Sequence, residues 1–114
     1  MSQASELVDR QIAAFNHRDL DAFVACYSAD ARIAQADSSL LAAGHPEIRT
    51  VYGELFLQSP ELNAEIRARI EVGSFVIDEE LLTAFVMVGM PTQLHAAAAY
   101  RVAEGLIQGV QLFG

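Results

Sequence analysis

The sequence predicts an α+β fold in which three N-terminal helices pack into a strongly curved antiparallel sheet, forming a cone-shaped α+β barrel. The first observation is strict alternation over residues 63–72, the pattern of a strand with one apolar and one polar face. The apolar face consists of Ala64, Ile66, Ala68, Ile70 and Val72. The second observation is the order of patterns, because helical spacing dominates before this strand and further β-rich segments follow it. We expect the sheet to curl around the helices and enclose a small cavity.

Three helices are predicted from apolar residues that recur at helical spacing. The three segments are residues 3–16, 20–27 and 44–58. Ser2 and Asp19 are suited to cap the first two helices, because their side-chain oxygens accept hydrogen bonds from free backbone N–H groups. Pro46 fits the first turn of the third helix, and the Ser59-Pro60 step ends it.

The remaining segments are predicted as strands that are joined by turns. They are residues 31–35, 63–72, 75–77, 82–88, 94–102 and 107–113. The glycine-containing stretches at 73, 89–92 and 103–105 are typical of turns between such strands. The acidic run Asp78-Glu79-Glu80 is interpreted as a solvated bend or bulge, with cation binding as the alternative.

Length and composition indicate one domain over residues 1–114, with an apolar fraction of 53%. No apolar run approaches the roughly 20 residues of a membrane helix, so we expect no membrane partner. The net charge is −8 with seven basic residues, all arginine, and such an acidic chain repels nucleic acid. A single cysteine, Cys26, fits a reducing compartment, and the N-terminus lacks a signal-peptide layout. We therefore expect a cytoplasmic location.

The apolar residues of the later strands predict a homodimer through the sheet. Residues 82–88 and 94–100 are apolar on both faces, whereas a sheet with one solvated face alternates cleanly. Three helices can cover only one face, so a second subunit is the simplest cover for the other. The alternative is that the strands curl tightly enough to bury themselves.

The order of three helices, a short strand and a long meander resembles the nuclear transport factor 2-like (NTF2-like) superfamily. The local resemblance lies in residues 12–33, IAAFNHRDLDAFVACYSADARI, in Gly44–Arg49 and in Tyr100–Phe113. It spans nearly the whole chain and implies the cystatin-like or NTF2-like fold, with SnoaL-like and ketosteroid isomerase-related members. The superfamily includes isomerases, polyketide cyclases, epoxide hydrolases, dehydratases and non-catalytic binding modules, so the resemblance does not choose a function.

Ketosteroid isomerase is a member of this superfamily that aligns with each half of the chain without gaps. The resemblance places its aspartate base at Gln35, its oxyanion-hole tyrosine at Gln11 and its neutral aspartic acid at Ala97. All three are replaced, so the resemblance supports the fold and argues against that reaction. It leaves Gln11 and Gln35 as two amides facing one pocket, suited to hydrogen-bonding a carbonyl or hydroxyl group.

These residues define the expected ligand site, a mostly apolar pocket with Gln11 and Gln35 as polar anchors. The expected lining residues are Phe15, Tyr27, Tyr52, Phe56, Met87 and Phe113. The alternative is that both amides lie at a wet pocket mouth and bind no ligand.

Asp37 and His95 are the candidate catalytic residues. Asp37 shares the face of Gln35 if the strand continues, and a carboxylate that orients an imidazole makes a general base near neutral pH. The alternative is that Asp37 caps nearby amides in the turn with Ser38 and Ser39. The histidine spacings match no ligand motif, so we expect no metal and no cofactor.

Three functions remain open. The first is binding of a small, largely apolar molecule. The second is an isomerase, cyclase or epoxide-hydrolase-like enzyme that uses Asp37 or His95 for proton transfer. The third is a non-catalytic interaction domain with a vestigial cavity. An ionisable group inside the pocket with a shifted pKa would favour the enzyme.

Overall fold

The computed structural model describes residues 2–114 and shows three helices packed into a curved six-stranded sheet, which confirms the predicted fold class. The helices are α1 (Gln3–Asn16), α2 (Leu20–Ala25) and α3 (Gly44–Gln58). The strands are β1 (Tyr27–Gln35), β2 (Leu40–Ala43), β3 (Asn63–Val72), β4 (Phe75–Thr83), β5 (Leu94–Ala103) and β6 (Leu106–Phe113). Their order is β2-β1-β6-β5-β4-β3, antiparallel except for the parallel pair β1–β6.

No helix within residues 2–114 is long and apolar enough to span a membrane.

The predicted caps are confirmed. Ser2 Oγ accepts a hydrogen bond from the N–H of Ser5 at 3.0 Å, and Asp19 Oδ1 accepts one from Ala22 at 3.2 Å.

The second helix is shorter than predicted because Cys26 and Tyr27, its last two predicted residues, form backbone contacts with the sheet instead. The N–H of Ile107 on β6 donates to the carbonyl of Cys26 at 2.9 Å, and Tyr27 pairs with Ile107. Strand β1 therefore begins at Tyr27 rather than at Ala31, and its partner β2 was not predicted at all. A four-residue edge strand is too short for its periodicity to be recognised.

Residues 78–80 do not form the predicted solvated bend or bulge, because β4 runs without interruption from Phe75 to Thr83 and the bulge opposite Glu79 and Glu80 lies in β3. The chain instead leaves the sheet at Ala84, whose φ is 57°. Residues 84–88, predicted as strand, form an irregular segment. Ser59 Oγ holds this segment by donating to the carbonyl of Val86 at 3.2 Å and accepting from its N–H at 2.9 Å.

The unbroken alternation of β3 is also misleading, because its register shifts between Ile66 and Ala68. A β-bulge adds one residue to a strand and reverses which side chains face the core. Beyond the bulge, Ile70 and Val72 are each 58% exposed, while Arg69 turns inward opposite Asp78. One apolar face in the sequence is thus divided between two faces of the sheet.

Four aromatic rings form the centre of the core where the helices meet. They are Phe15, Phe23, Tyr52 and Phe56, with ring centroids 4.7–6.5 Å apart. Asn16 fastens the end of α1 to the start of β3 by accepting from the N–H of Ala64 at 2.6 Å and donating to its carbonyl at 3.1 Å. These contacts hold α1 against the sheet and position Gln11 in the interior.

Candidate functional site

A cavity of about 250 Å³ lies between the helices and the inner face of the sheet. Its buried end is lined by Gln11, Tyr27, Tyr52, Glu80 and Tyr100, which are all less than 10% exposed. Its opening is lined by the partly exposed side chains of Gln35, Met87, Met90 and Phe113. Apolar residues form most of the wall between these two ends. The cavity is therefore a largely apolar site with polar groups at its buried end.

Glu80 carries the only charged side chain among the described residues that line this cavity. It lies on β4, is 6% exposed, and its Oε2 accepts a hydrogen bond from the hydroxyl of Tyr100 at 3.0 Å. Burial raises its pKa from 4.5 to about 7, and the nearby charge of Asp78 acts in the same direction. The hydrogen bond from Tyr100 and the charge of Arg69 oppose this shift. The carboxyl group therefore changes its charge near neutral pH.

Asp78, two residues before Glu80, is completely buried but is paired with Arg69. Arg69 donates to both carboxylate oxygens of Asp78, at 2.6 and 2.9 Å, and to Asp9 on α1 at 2.8 Å. These hydrogen bonds raise the pKa of the Arg69 guanidinium, and those to Asp78 have the largest effect. The charge of Arg69 is thus matched by two carboxylates other than Glu80.

This cluster places Arg69 on the inner face of the sheet, whereas the strict alternation of residues 63–72 assigns it to the polar face. Its side chain is 18% exposed. Arg67, on the other face of β3, does form an exposed pair, with 3.7 Å between its Nε and Glu65 Oε1.

The three tyrosines at the buried end remain neutral over the ordinary pH range. Burial raises the pKa of Tyr27, Tyr52 and Tyr100 well above the usual range, and the charge of Glu80 adds to each shift. Tyr27 and Tyr52 are also held by Phe23, with ring centroids at 5.1 and 4.7 Å. They form rigid aromatic walls next to the carboxyl group.

Gln11 and Gln35 both line the cavity, but at opposite ends. Gln11 on α1 is 3% exposed, and its Oε1 is the one buried side-chain nitrogen or oxygen without a hydrogen-bond partner among residues 2–114. Leaving such a group unpaired costs about 1–3 kcal/mol. Gln35, the last residue of β1, is exposed at the opening. Gln11 is therefore the stronger candidate for a ligand-binding amide, because its buried oxygen has no hydrogen-bond partner.

The aromatic and sulfur side chains predicted for the ligand site separate into two groups. Phe15, Tyr27, Tyr52, Met87 and Phe113 line the cavity. Phe56 instead packs in the core, 5.6 Å from Phe15 and 5.7 Å from Phe23 between ring centroids. Their role in binding a ligand stays a prediction.

The structure does not bring Asp37 and His95 together, and neither lines the cavity. Strand β1 ends at Gln35, so Asp37 lies in an exposed turn, where it accepts a hydrogen bond from the N–H of Ser39 at 2.9 Å. The hydrogen bonds from Ser39 lower the pKa of Asp37. The Nε2 of His95 lies 2.6 Å from Glu79 Oε2 in an exposed pair.

His95 lies outside the cavity because of the register of β5. Ala96 and Ala98 face inward, so His95 and Ala97 face outward, Ala97 opposite the exposed Glu79. The residue aligned with the neutral acid of ketosteroid isomerase is therefore also outside the cavity.

Sequence reasoning missed Glu80 and Tyr100. The available signal was the period-two series Val76, Asp78, Glu80 and Leu82, which places two acidic residues on an apolar face. Three consecutive acidic residues are more common in turns, and this pattern obscured the series. The inward shift of Arg69 depends on the β3 bulge, for which the sequence has no clear signal.

A curved sheet that encloses a small-molecule-sized cavity against three helices defines the NTF2-like class of protein. The model for the SnoaL-like domain matches residues 8–110 of this chain. The protein therefore belongs to the SnoaL-like family. No curated protein matches the chain.

Solved structures share this fold. A cystatin-fold protein from Novosphingobium aromaticivorans superposes with a TM-score of 0.87 and 26% identity, covering 98% of this chain and 97% of that chain. A protein of ketosteroid isomerase-like fold from Catenulispora acidiphila, in complex with trimethylamine, gives 0.78 and 19%, covering 96% and 85%. TerC, co-crystallised with polyporic acid, gives 0.81 and 15%, covering 97% and 90%.

Proposed function

We propose that this protein binds a small, largely apolar molecule in the cavity, with the polar end of that molecule at Gln11 and Glu80. The observation that carries the proposal is the unpartnered oxygen of Gln11 at the buried end of a 250 Å³ cavity. A buried acceptor without a partner is costly, and a ligand that donates a hydrogen bond removes that cost. The Catenulispora acidiphila protein and TerC were each solved with a small organic molecule, which supports this use of the fold.

Replacing Gln11 with methionine tests the polar anchor. We expect Gln11→Met to leave the free energy of unfolding unchanged or to raise it by about 1 kcal/mol, because an unpaired polar group is replaced by an apolar one. We expect the same variant to weaken ligand binding. Urea denaturation measures the first effect, and the shift in melting temperature with a panel of steroid-like, terpenoid and polyketide-like molecules measures the second.

Gln58→Met is the matched control, because Gln58 is exposed and bonded to Glu54 on α3, away from the cavity. It should keep every ligand-induced shift seen with the wild-type protein. The proposal fails if no compound raises the melting temperature of the wild-type protein, or if the Gln11 variant responds like the control.

An enzyme is the second candidate, and the observation that favours it is a titrating carboxyl group inside the cavity. We propose Glu80 as its proton-transfer residue, in place of Asp37 or His95, since a pKa of about 7 suits a general acid or base at neutral pH. The reaction class would be isomerase, cyclase or epoxide hydrolase. Glu80→Gln should abolish turnover of any substrate found, and Asp37→Asn should not. An interaction domain is less favoured, because its cavity would be collapsed.

A homodimer through the sheet is also part of the proposal. Ile70, Val72 and Phe75 lie on the outer face of the sheet and are 58%, 58% and 42% exposed. Contiguous exposed apolar residues mark association surfaces. Two of them lie beyond the register shift in β3, whereas the sequence pattern placed the unexplained apolar surface on residues 82–88 and 94–100. The predicted cytoplasmic location stays a prediction.

Ile70→Glu is expected to convert the dimer to a monomer, because an interface cannot bury an unpaired carboxylate. Light scattering after size exclusion measures the mass. Leu57→Glu, on α3 at 81% exposure, is the control and should remain dimeric. A wild-type protein that is monomeric at all concentrations tested would contradict the dimer.

A further inference from the structure

We propose that the buried end of the cavity selects a protonated amine carried on an apolar body, with Glu80 as its counter-ion and Gln11 as a second hydrogen-bond acceptor. This inference rests on the proposed function and names the class of ligand. It depends on three features of the cavity: its charge, its unpaired acceptor and its aromatic wall.

The charges around the buried end are unbalanced in favour of a cation. Glu80 is the only charged side chain of the lining within residues 2–114. The guanidinium of Arg69 on β3, whose charge acts on Glu80, is already bonded to Asp78 on β4 and to Asp9 on α1. An ionised Glu80 therefore has no cationic partner of its own in this part of the chain. An anionic ligand would be repelled, whereas a cation would complete the site.

The other groups that face Glu80 are neutral. Tyr100 comes from β5, Tyr27 from β1 and Tyr52 from α3, and burial raises the pKa of each well above the usual range. Tyr100 donates its one hydroxyl proton to Glu80, which stabilises the ionised carboxylate without matching its charge. Aromatic rings also attract cations through their negative faces. The aromatic walls, like the ionised carboxylate, thus favour a positively charged ligand.

Gln11 adds a requirement for hydrogen-bond donors. Its unpaired Oε1 needs an N–H or O–H partner, and an ionised Glu80 accepts as well. A primary ammonium group has three N–H donors and no acceptor, so it has enough donors for both groups. An alcohol has one donor and carries no charge. The remainder of the wall is apolar and suits a hydrocarbon body.

Benzylamine and benzyl alcohol form a matched pair of probes, since they differ in the charged donor only. At pH 8, where Glu80 is ionised, we expect benzylamine to bind at least tenfold more tightly than benzyl alcohol by isothermal titration calorimetry. Below the pKa of Glu80, cation binding must expel its proton. The Kd of benzylamine should therefore rise by up to tenfold per pH unit from pH 7 to pH 5. The Kd of benzyl alcohol should not show this rise.

Glu80→Gln should raise the Kd of benzylamine at pH 8 to that of benzyl alcohol and remove its pH dependence. Glu79→Gln, the adjacent residue on the outer face, is the control and should bind benzylamine like the wild-type protein. If Glu80→Gln does not fold, the pH series and the alcohol comparison on the wild-type protein still decide the outcome.

Two outcomes overturn the amine proposal: no detectable benzylamine binding at pH 8, or benzyl alcohol binding as tightly as benzylamine. The proposed function is judged separately by the neutral compounds of the panel. If those bind and benzylamine does not, only the amine inference fails. If nothing binds, both fail.

Discussion

Glu80→Gln is expected to stabilise the protein by on the order of 3 kcal/mol at pH 8, and by less than about 1 kcal/mol at pH 5. Burial raises the pKa of this carboxyl group from 4.5 to about 7. Between those values the folded protein holds a proton that the unfolded chain has released. The contribution of Glu80 to the free energy of unfolding is therefore greatest below pH 4.5, and it is lost as the pH rises from 4.5 through 7.

Urea denaturation of the wild-type protein and the variant at pH 5, 6, 7 and 8 measures this difference. Glutamine keeps an oxygen that can accept the hydrogen bond from Tyr100, so the substitution removes the titration and little else. Glu79→Gln removes the same charge on the exposed face of the same strand and should not gain about 3 kcal/mol at pH 8. A Glu80→Gln variant whose stability relative to the wild type is constant from pH 5 to pH 8 would contradict the raised pKa.

Arg69→Met is expected to destabilise the protein by about 3–5 kcal/mol, because it leaves the buried carboxylate of Asp78 without its partner. Asp78 is completely buried, and both of its oxygens accept hydrogen bonds from Arg69. Arg67→Met is the matched control on the same strand. Its pair with Glu65 is exposed, with 3.7 Å between Nε and Oε1, and such pairs contribute about 0–1 kcal/mol.

The double variant Arg69→Met with Asp78→Leu separates two free energies: the net contribution of the ion pair to stability, and the destabilisation caused by a buried carboxylate without its partner. We expect most of the lost stability to return, since two apolar side chains of similar size replace a buried ion pair at little cost. Urea denaturation at pH 7 of the single and double variants measures the coupling. Equal losses for Arg69→Met and Arg67→Met would show that Asp78 is solvated and that the inward register of β3 is wrong.

The sequence predicted the elements whose signals are local. Helical spacing located α1 and α3, and the predicted caps of α1 and α2, Ser2 and Asp19, are confirmed. Cavity-lining residues such as Tyr52 and Gln11 were found because a resemblance placed their helices in a known arrangement. The failures occurred where local signals compete: Asp78-Glu79-Glu80 has the composition of a turn and the alternation of a strand.

The sequence by itself determined the class of fold, because periodicity and element order depend on neighbours along the chain. Only the tertiary structure decided the site, because which face a strand residue occupies depends on its register with other strands. One bulge in β3 turns Arg69 inward to neutralise Asp78 and turns Ile70 outward to solvent. Glu80 then remains as the one charged side chain of the lining within the described chain, a property that arises from the burial and pairing of residues distant in sequence.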